Sequence, residues 1–235
     1  MTKFKLWPQK GALDGAACLD ARCDQRELIL SNEDLIQVLA SSSQADRIFD
    51  SLLPEAYRKI SSRQWTVAEV AKRVAQWLER DHSDKKIIDI GSGVGKFCIL
   101  LGLQSRLQIY GIEQRKGLYL ISEQLRGANL LTRIKFLHGN MIDLSWKDYD
   151  IYYLYNPFQE HVVNNGWSRI DGEIGFHACL FGKYTDEIYR QLIWAEKGKI
   201  LITFHGYGGI VPSAWKVVQQ TTINGGELCM WEKMV

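Results

Sequence analysis

The sequence predicts an α/β fold built on a mostly parallel twisted sheet, and three observations carry that expectation. From position 86 onward, short apolar strand-like runs alternate with longer segments of helical periodicity, the pattern that lays helices over both faces of a parallel sheet. The first such run breaks into three alternating glycines, Gly91, Gly93 and Gly95, directly ahead of an apolar helix. The chain closes on two strand-like segments around Ile223-Asn-Gly-Gly226, a strong hairpin signal, so the final pair is antiparallel.

Each element follows from its pattern. Residues 1–30 read as an arm with weakly structured choices such as Gly11, Gly15, Ala16 and Ala17. Residues 31–84 read as a helical appendage or lid. Ser31 or Asn32 caps its first helix, whose apolar positions include Leu35, Val38 and Leu39. Thr66 opens its last helix, with Glu69 three residues on and a stripe of Val67, Val70, Val74, Trp77 and Leu78. Residues 85–235 form the main domain. Ile87, Ile88 and Ile90 mark its first strand and 97–103 the helix after it; 107–112 is the second strand, ending in Glu113. A helix over 116–131 aligns Leu118, Ile121, Leu125 and Ala128 on one face. Strands at 134–138 and 148–155 lead into Gly139-Asn-Met-Ile-Asp143 and Asn156-Pro157-Phe158 respectively. A helix over 174–196, interrupted near Gly182, precedes strands at 199–204, 214–222 and 227–234.

The run Lys86-Ile-Ile-Asp-Ile-Gly-Ser-Gly-Val-Gly-Lys96 is the most informative stretch. A strand, a glycine turn and a helix amino terminus in succession let a ligand approach backbone N–H groups. Spacing decides which ligand. The dinucleotide fingerprint is G-x-G-x-x-G, and here the third glycine comes one residue early. A P-loop fails as well: Ile90 stands where its first glycine belongs, and Phe97 where Ser or Thr would hold magnesium. What remains is an acid, Asp89, then G-x-G-x-G; a tight turn without a ligand is the plain alternative.

This motif resembles the first motif of class I S-adenosylmethionine-dependent methyltransferases. The resemblance covers about residues 85–235 and implies a seven-stranded sheet, with the last strand inserted between two parallel ones. It implies S-adenosyl-L-methionine as cofactor, with Gly91, Ser92, Gly93 and Gly95 beneath its methionine part and Asp89 at its amino end. Glu113, with Gln114 beside it, falls about 20 residues past the turn, where an acid holds the ribose diol. Asn140 and Met141, with Asp143 second, match positions beside the adenine. Asn156-Pro157-Phe158 is similar to the (Asn/Asp)-Pro-Pro-(Tyr/Phe) motif of methyltransferases acting on nitrogen, with one proline missing. Thr66 ahead of its helix, together with Gly-Ser-Gly-Val-Gly, is similar to the non-SET histone lysine methyltransferases, whose acceptor motif has Asn-Asn-Phe instead. For most of these positions a strand-end turn or a helix cap is the alternative.

On that reading the Asn156 side-chain oxygen and the Pro157 carbonyl accept hydrogens from an amine or amide, aiming its lone pair at the methyl group. Phe158 offers a ring face to the positive charge developing on nitrogen. Glu160, His161 and His205 are candidate bases. Oxygen or carbon methylation of a small aromatic molecule is the second enzymatic reading, with the aromatic-rich stretch 149–167 as its pocket. A non-catalytic cofactor sensor or interaction subunit is the third, and a dehydrogenase is disfavoured by the glycine spacing.

Composition limits the partners. A net charge of +2 and the absence of a basic run give no strong nucleic-acid signal, so a protein or small-molecule acceptor is favoured. No apolar stretch approaches the ~20 residues of a membrane span, and the first residues lack the apolar core of a secretory signal. The five cysteines show neither metal-ligand nor disulfide spacing, so a reduced cytoplasmic protein without a metal site is expected.

Overall fold

The computed structural model describes residues 30–82, 84–129, 131–158, 161, 170, 174 and 178–235. The N-terminal arm up to residue 29, the candidate base Glu160 and most of the aromatic stretch after Phe158 lie outside them.

Seven strands form one sheet: β1 (Lys86–Ile90), β2 (Gln108–Glu113), β3 (Ile134–His138), β4 (Ile151–Tyr155), β5 (Ile200–Phe204), β6 (Trp215–Ile223) and β7 (Gly226–Lys233), in the order β3-β2-β1-β4-β5-β7-β6. β1 to β5 run parallel. β7 is antiparallel to both neighbours and inserts between β5 and β6, as the sequence implies. Strand order reverses between β1 and β4, and in open α/β sheets the crevice forms at that point, outside the carboxyl ends of the strands.

The central strands β1, β4 and β5 are buried on both faces, which is why they read as apolar runs. Side chains alternate between two cores. Ile87, Ile109, Ile151 and Tyr153 face one, with α5 (Ala68–Leu78) and α6 (Lys96–Gln104). Ile88, Ile90, Tyr152 and Leu154 face the other, with Tyr184, Ile188 and Leu192 of α8 (Ala178–Trp194). The amino-terminal helices join the first core through Phe49 of α2 (Ser42–Ser51), Leu53 beyond it, and Val70, Val74 and Leu78 of α5.

Helix boundaries depart from the sequence reading where remote partners intervene. Ser31 caps α1 (Asn32–Ala40) in a capping box closed by Asp34. Thr66 does not cap α5. Val67 holds the cap position without a side-chain bond, and Asp46 of α2 accepts the Ala68 N–H at 3.0 Å. Glu69 accepts a hydrogen bond from Ser42 rather than closing a box. α7 (Lys116–Ala128) stops before residue 131 because the Asn129 side chain turns back to the Leu125 carbonyl at 2.8 Å. α8 passes through Gly182 without a break; a helical glycine costs only about 1 kcal/mol, which buried Tyr184, Ile188 and Leu192 outweigh.

Gly95, the amino-terminal cap of α6, holds φ at +79°, and a Cβ there would lie 2.4 Å from Phe136 Cζ and 3.0 Å from Ser122 Cβ. Gly95→Ala is therefore expected to destabilise the fold by about 2–4 kcal/mol through left-handed strain and overpacking. A lowered urea midpoint checks this; an unchanged one contradicts the packing.

Candidate functional site

A cleft of about 500 Å³ opens at the carboxyl ends of β1, β2 and β4, at the reversal of strand order. Three sequence-adjacent groups meet there: Asp89 with the glycine turn, Glu113-Gln114, and Asn156-Pro157-Phe158. Thr66, Asn140 and Met141 complete the set of expected residues in its wall. Gly95 stays behind the wall, packed on Phe136, and Asp143 is exposed away from it.

The turn is folded onto the end of β2. The Ile112 carbonyl accepts the N–H groups of both Gly91 and Ser92 at 3.0 Å. Glu113 Oε2 accepts the Gly93 N–H at 2.9 Å, its Oε1 accepts the Arg115 N–H at 2.7 Å, and the Ser92 carbonyl accepts the Gly95 N–H at 2.9 Å. The expectation of backbone donors open to a ligand is thus corrected at these four glycine-turn residues. Their hydrogens are taken up inside the protein. Ser92 Oγ is buried with no partner among the described residues, and the residue lines the cleft.

Two carboxylates sit beside this turn with little water. Asp89 is 5% exposed, and the Cys98 thiol donates to its Oδ2 at 3.5 Å. Burial, reinforced by the nearby Glu113 charge and opposed by the Cys98 bond, pushes the Asp89 carboxyl up to about 7. Glu113 is equally buried, its oxygens held by the two backbone donors.

At the far end of the cleft, Asn140 Oδ1 accepts the Ile142 N–H at 3.1 Å. Its Nδ2 donates to Tyr184 Oη at 3.1 Å and to Gln114 Oε1 at 3.3 Å. Tyr184 Oη donates to Gln114 Oε1 at 3.2 Å, and the Tyr184 ring stacks on Phe158 with centroids 4.8 Å apart. Tyr184 escaped the sequence reading, although its i, i+4, i+8 stripe with Ile188 and Leu192 faces it to the sheet.

Asn156 turns the chain at the end of β4 in the left-handed region, with φ at +35°, and its N–H donates to the Gly206 carbonyl at 3.0 Å. Pro157 packs so closely on the glycine turn that a Cβ at Gly91 would lie 3.3 Å from its own Cβ. The Trp65 ring edge covers the turn from the other side: a Cβ at Gly93 would lie 2.6 Å from Trp65 Cζ3. Thr66 Oγ1 bonds Tyr153 Oη at 2.9 Å rather than a helix amino terminus.

Neither described candidate base faces this space. His161 is buried beside Tyr184, with ring centroids 5.9 Å apart, and is absent from the cleft wall. His205 is exposed, outside the cleft, with its ring on Phe204 at 4.4 Å. Among the described residues no group of His, Cys, Asp and Glu could hold a metal ion, and no helix is long and apolar enough to cross a membrane.

No family model matches the chain. It is 28% identical over 92 residues to the protein-L-isoaspartate O-methyltransferase of Bordetella parapertussis, a span of 39% of this chain and 34% of that protein. The counterpart of Bordetella petrii is 26% identical over 92 residues, covering 39% and 32%. The chain thus spans about a third of the length of these curated relatives. Among solved structures it is similar to an RNA methyltransferase from Salinibacter ruber in complex with S-adenosyl-L-homocysteine. That match has a TM-score of 0.50 and 15% identity, covering 72% of this chain and 93% of that one. TrmN from Thermus thermophilus matches with a TM-score of 0.53 and 14% identity over 76% of this chain and 52% of that one. An MtNAS mutant in complex with S-adenosylmethionine matches with a TM-score of 0.51 and 12% identity over 86% and 71%. At these identities the structural likeness is one of fold.

The Asp89 environment generates a pH signature. Its carboxyl titrates near 7 in the folded chain and near 4 unfolded, so the native state binds the proton more tightly. Stability from this group is greatest below about pH 4 and falls as pH rises through about 7. Asp89→Asn is expected to flatten that slope and to raise the ligand-free chain's stability at pH 8 by about 1–3 kcal/mol. Urea unfolding at pH 5 and pH 8 reads both; an Asn variant less stable than wild type at pH 8 contradicts the assignment.

Proposed function

We propose that this chain, which has the class I methyltransferase fold, is an S-adenosylmethionine-dependent methyltransferase acting on a nitrogen acceptor. The observation that carries the cofactor is the glycine turn itself. Its N–H groups at Gly91, Ser92, Gly93 and Gly95 are taken up internally, and the acids beside it, Asp89 and Glu113, are buried carboxylates. A phosphate needs such N–H groups open. A ligand with an ammonium and a sulfonium needs negative charge, which the two acids offer.

In the resulting placement, Asp89 meets the ammonium and Ser92 offers its unpartnered hydroxyl to the same end. Glu113 meets the ribose hydroxyls. Asn140, Met141, Gln114 and Tyr184 border the adenine. When bound, the cofactor supplies an electrophilic methyl carbon on a cationic sulfur. The chain's own part would be to align the acceptor: the Asn156 and Pro157 oxygens would hold its N–H hydrogens so that the nitrogen lone pair faces that carbon, with the displaced proton passing to solvent.

Asn156 and Pro157 set the acceptor's direction. Left-handed backbone at a non-glycine residue costs about 1 kcal/mol or more and persists where the surroundings enforce it. Here the Gly206 carbonyl on one side and the contact of Pro157 with Gly91 on the other hold the turn against the cofactor cradle. Side-chain and backbone oxygens at this turn suit N–H hydrogens. The name of the curated relatives gives a carboxyl oxygen acceptor for them. A carboxylate carries no hydrogen for the Asn156 oxygen to accept and would take hydrogens from its Nδ2 instead, so the two acceptor classes use opposite ends of this amide.

Methyl transfer from labelled S-adenosylmethionine, scored across protein, RNA and small-molecule acceptors, tests the reading. Asn156→Ala is expected to lower kcat by about 10²-fold while retaining cofactor affinity. Full turnover by a folded, cofactor-binding Asn156→Ala variant contradicts the nitrogen assignment.

A further inference from the structure

Lys96, the residue after Gly95, is a charged side chain only 3% exposed. Its ammonium pairs with Asp46 Oδ1 at 2.7 Å and Asp50 Oδ1 at 2.8 Å, reaches Ser61 Oγ at 3.4 Å and lies 5.7 Å from the Phe49 ring centre. Taking an ammonium this far from water costs several kcal/mol, and apolar side chains of similar volume often stabilise a core as well or better. What an ion cluster adds is a fixed geometry.

Each carboxylate of the cluster holds a second element. Asp46 Oδ1 also accepts the Ala68 N–H at 3.0 Å, and Asp50 Oδ1 also accepts the Ser61 hydroxyl at 2.6 Å. One cation thereby ties α2, the start of α4 (Ser61–Gln64) and the start of α5 to the residue following the glycine turn. Between the tied points Ser61 and Ala68 runs the segment that covers the cleft. Arg63, Gln64, Trp65 and Thr66 line it, with the Trp65 ring edge over Gly93. Tyr155 Oη, next to the acceptor turn, donates to the Arg63 carbonyl at 3.4 Å.

We propose that Lys96 is a positioning residue for the cofactor: through Asp46 and Asp50 it holds residues 62–67 across the glycine turn, so that turn and cover form one preformed cradle. The proposal rests on the S-adenosylmethionine reading of the cleft. Loosening the tie removes that preorganisation, and affinity changes among variants of one site fall mostly on dissociation.

The test compares wild type, Lys96→Met and the milder Asp50→Asn, which leaves Lys96 its Asp46 partner. S-Adenosylhomocysteine affinity and dissociation rate are measured with amide exchange at residues 62–67. Lys96→Met is expected to weaken binding about tenfold or more, mostly through faster dissociation, and to speed exchange at 62–67 while β1 and β4 stay protected. Asp50→Asn is expected to show about a threefold loss of the same kind and decides the matter if Lys96→Met folds poorly. Binding within twofold of wild type in folded variants overturns the proposal. So does a loss of protection spread evenly over the sheet, which marks a merely structural role. A wild-type chain that does not bind S-adenosylhomocysteine defeats the cofactor reading instead. In that case unchanged protection at 62–67 in Lys96→Met overturns the tie on its own.

Discussion

The cleft end of the sheet is organised around one carboxylate. Glu113, at the end of β2, accepts the Gly93 N–H with one oxygen and the Arg115 N–H with the other. With the Ile112 carbonyl holding Gly91 and Ser92, this makes the end of one strand the template on which the loop of its neighbour is folded. A buried carboxylate is costly, and charge-assisted bonds from two backbone donors offset that cost. Removing the side chain would free the Gly93 and Arg115 N–H groups and loosen the two loops they belong to. A carboxylate has about four acceptor directions, so the group that shapes the turn can also meet the ribose in the proposed complex.

The same region carries an electrostatic debt. Asp89 lies beside Glu113 and accepts a hydrogen bond from the Cys98 thiol, and burial raises its carboxyl to about 7. A cationic ligand would relieve this by favouring the ionised form, so binding and proton release are linked in the proposed complex. Preorganised polar sites commonly hold such tension in the ligand-free state. It also explains the choice of neighbours: Cys98 sits on the apolar α6, a weak donor where a lysine would neutralise the site permanently.

Much of the architecture is legible in the sequence because it is written in local patterns. The isoleucine runs of β1 and β2, the glycine spacing and Asn224-Gly225 each have one economical reading, and the observed sheet follows them. The cleft brings together Asp89, Gly91, Ser92, Gly93, Glu113, Gln114, Asn140, Met141, Asn156, Pro157, Phe158 and Thr66, as the motif positions imply. What escapes is set by partners far apart in the chain. Thr66 looks like a cap until Asp46 takes that role and Tyr153 takes its hydroxyl. Lys96 looks like a failed P-loop lysine until Asp46 and Asp50 arrive from α2. The N–H groups of the glycine turn look open to a ligand until β2 is packed beside it. His161 and His205 are plausible bases by proximity in sequence; the structure buries the first beside Tyr184, leaves the second exposed, and has neither in the cleft wall.

On the proposed reading the cleft takes an adenosyl amino acid in preference to a phosphate. Calorimetric titration of the whole chain with S-adenosylhomocysteine, and separately with NAD and ATP, checks this. Saturable binding of S-adenosylhomocysteine at one site per chain is expected, with none of comparable strength for the two phosphate ligands. Tight binding of NAD or ATP, or no binding of S-adenosylhomocysteine by folded protein, would contradict it.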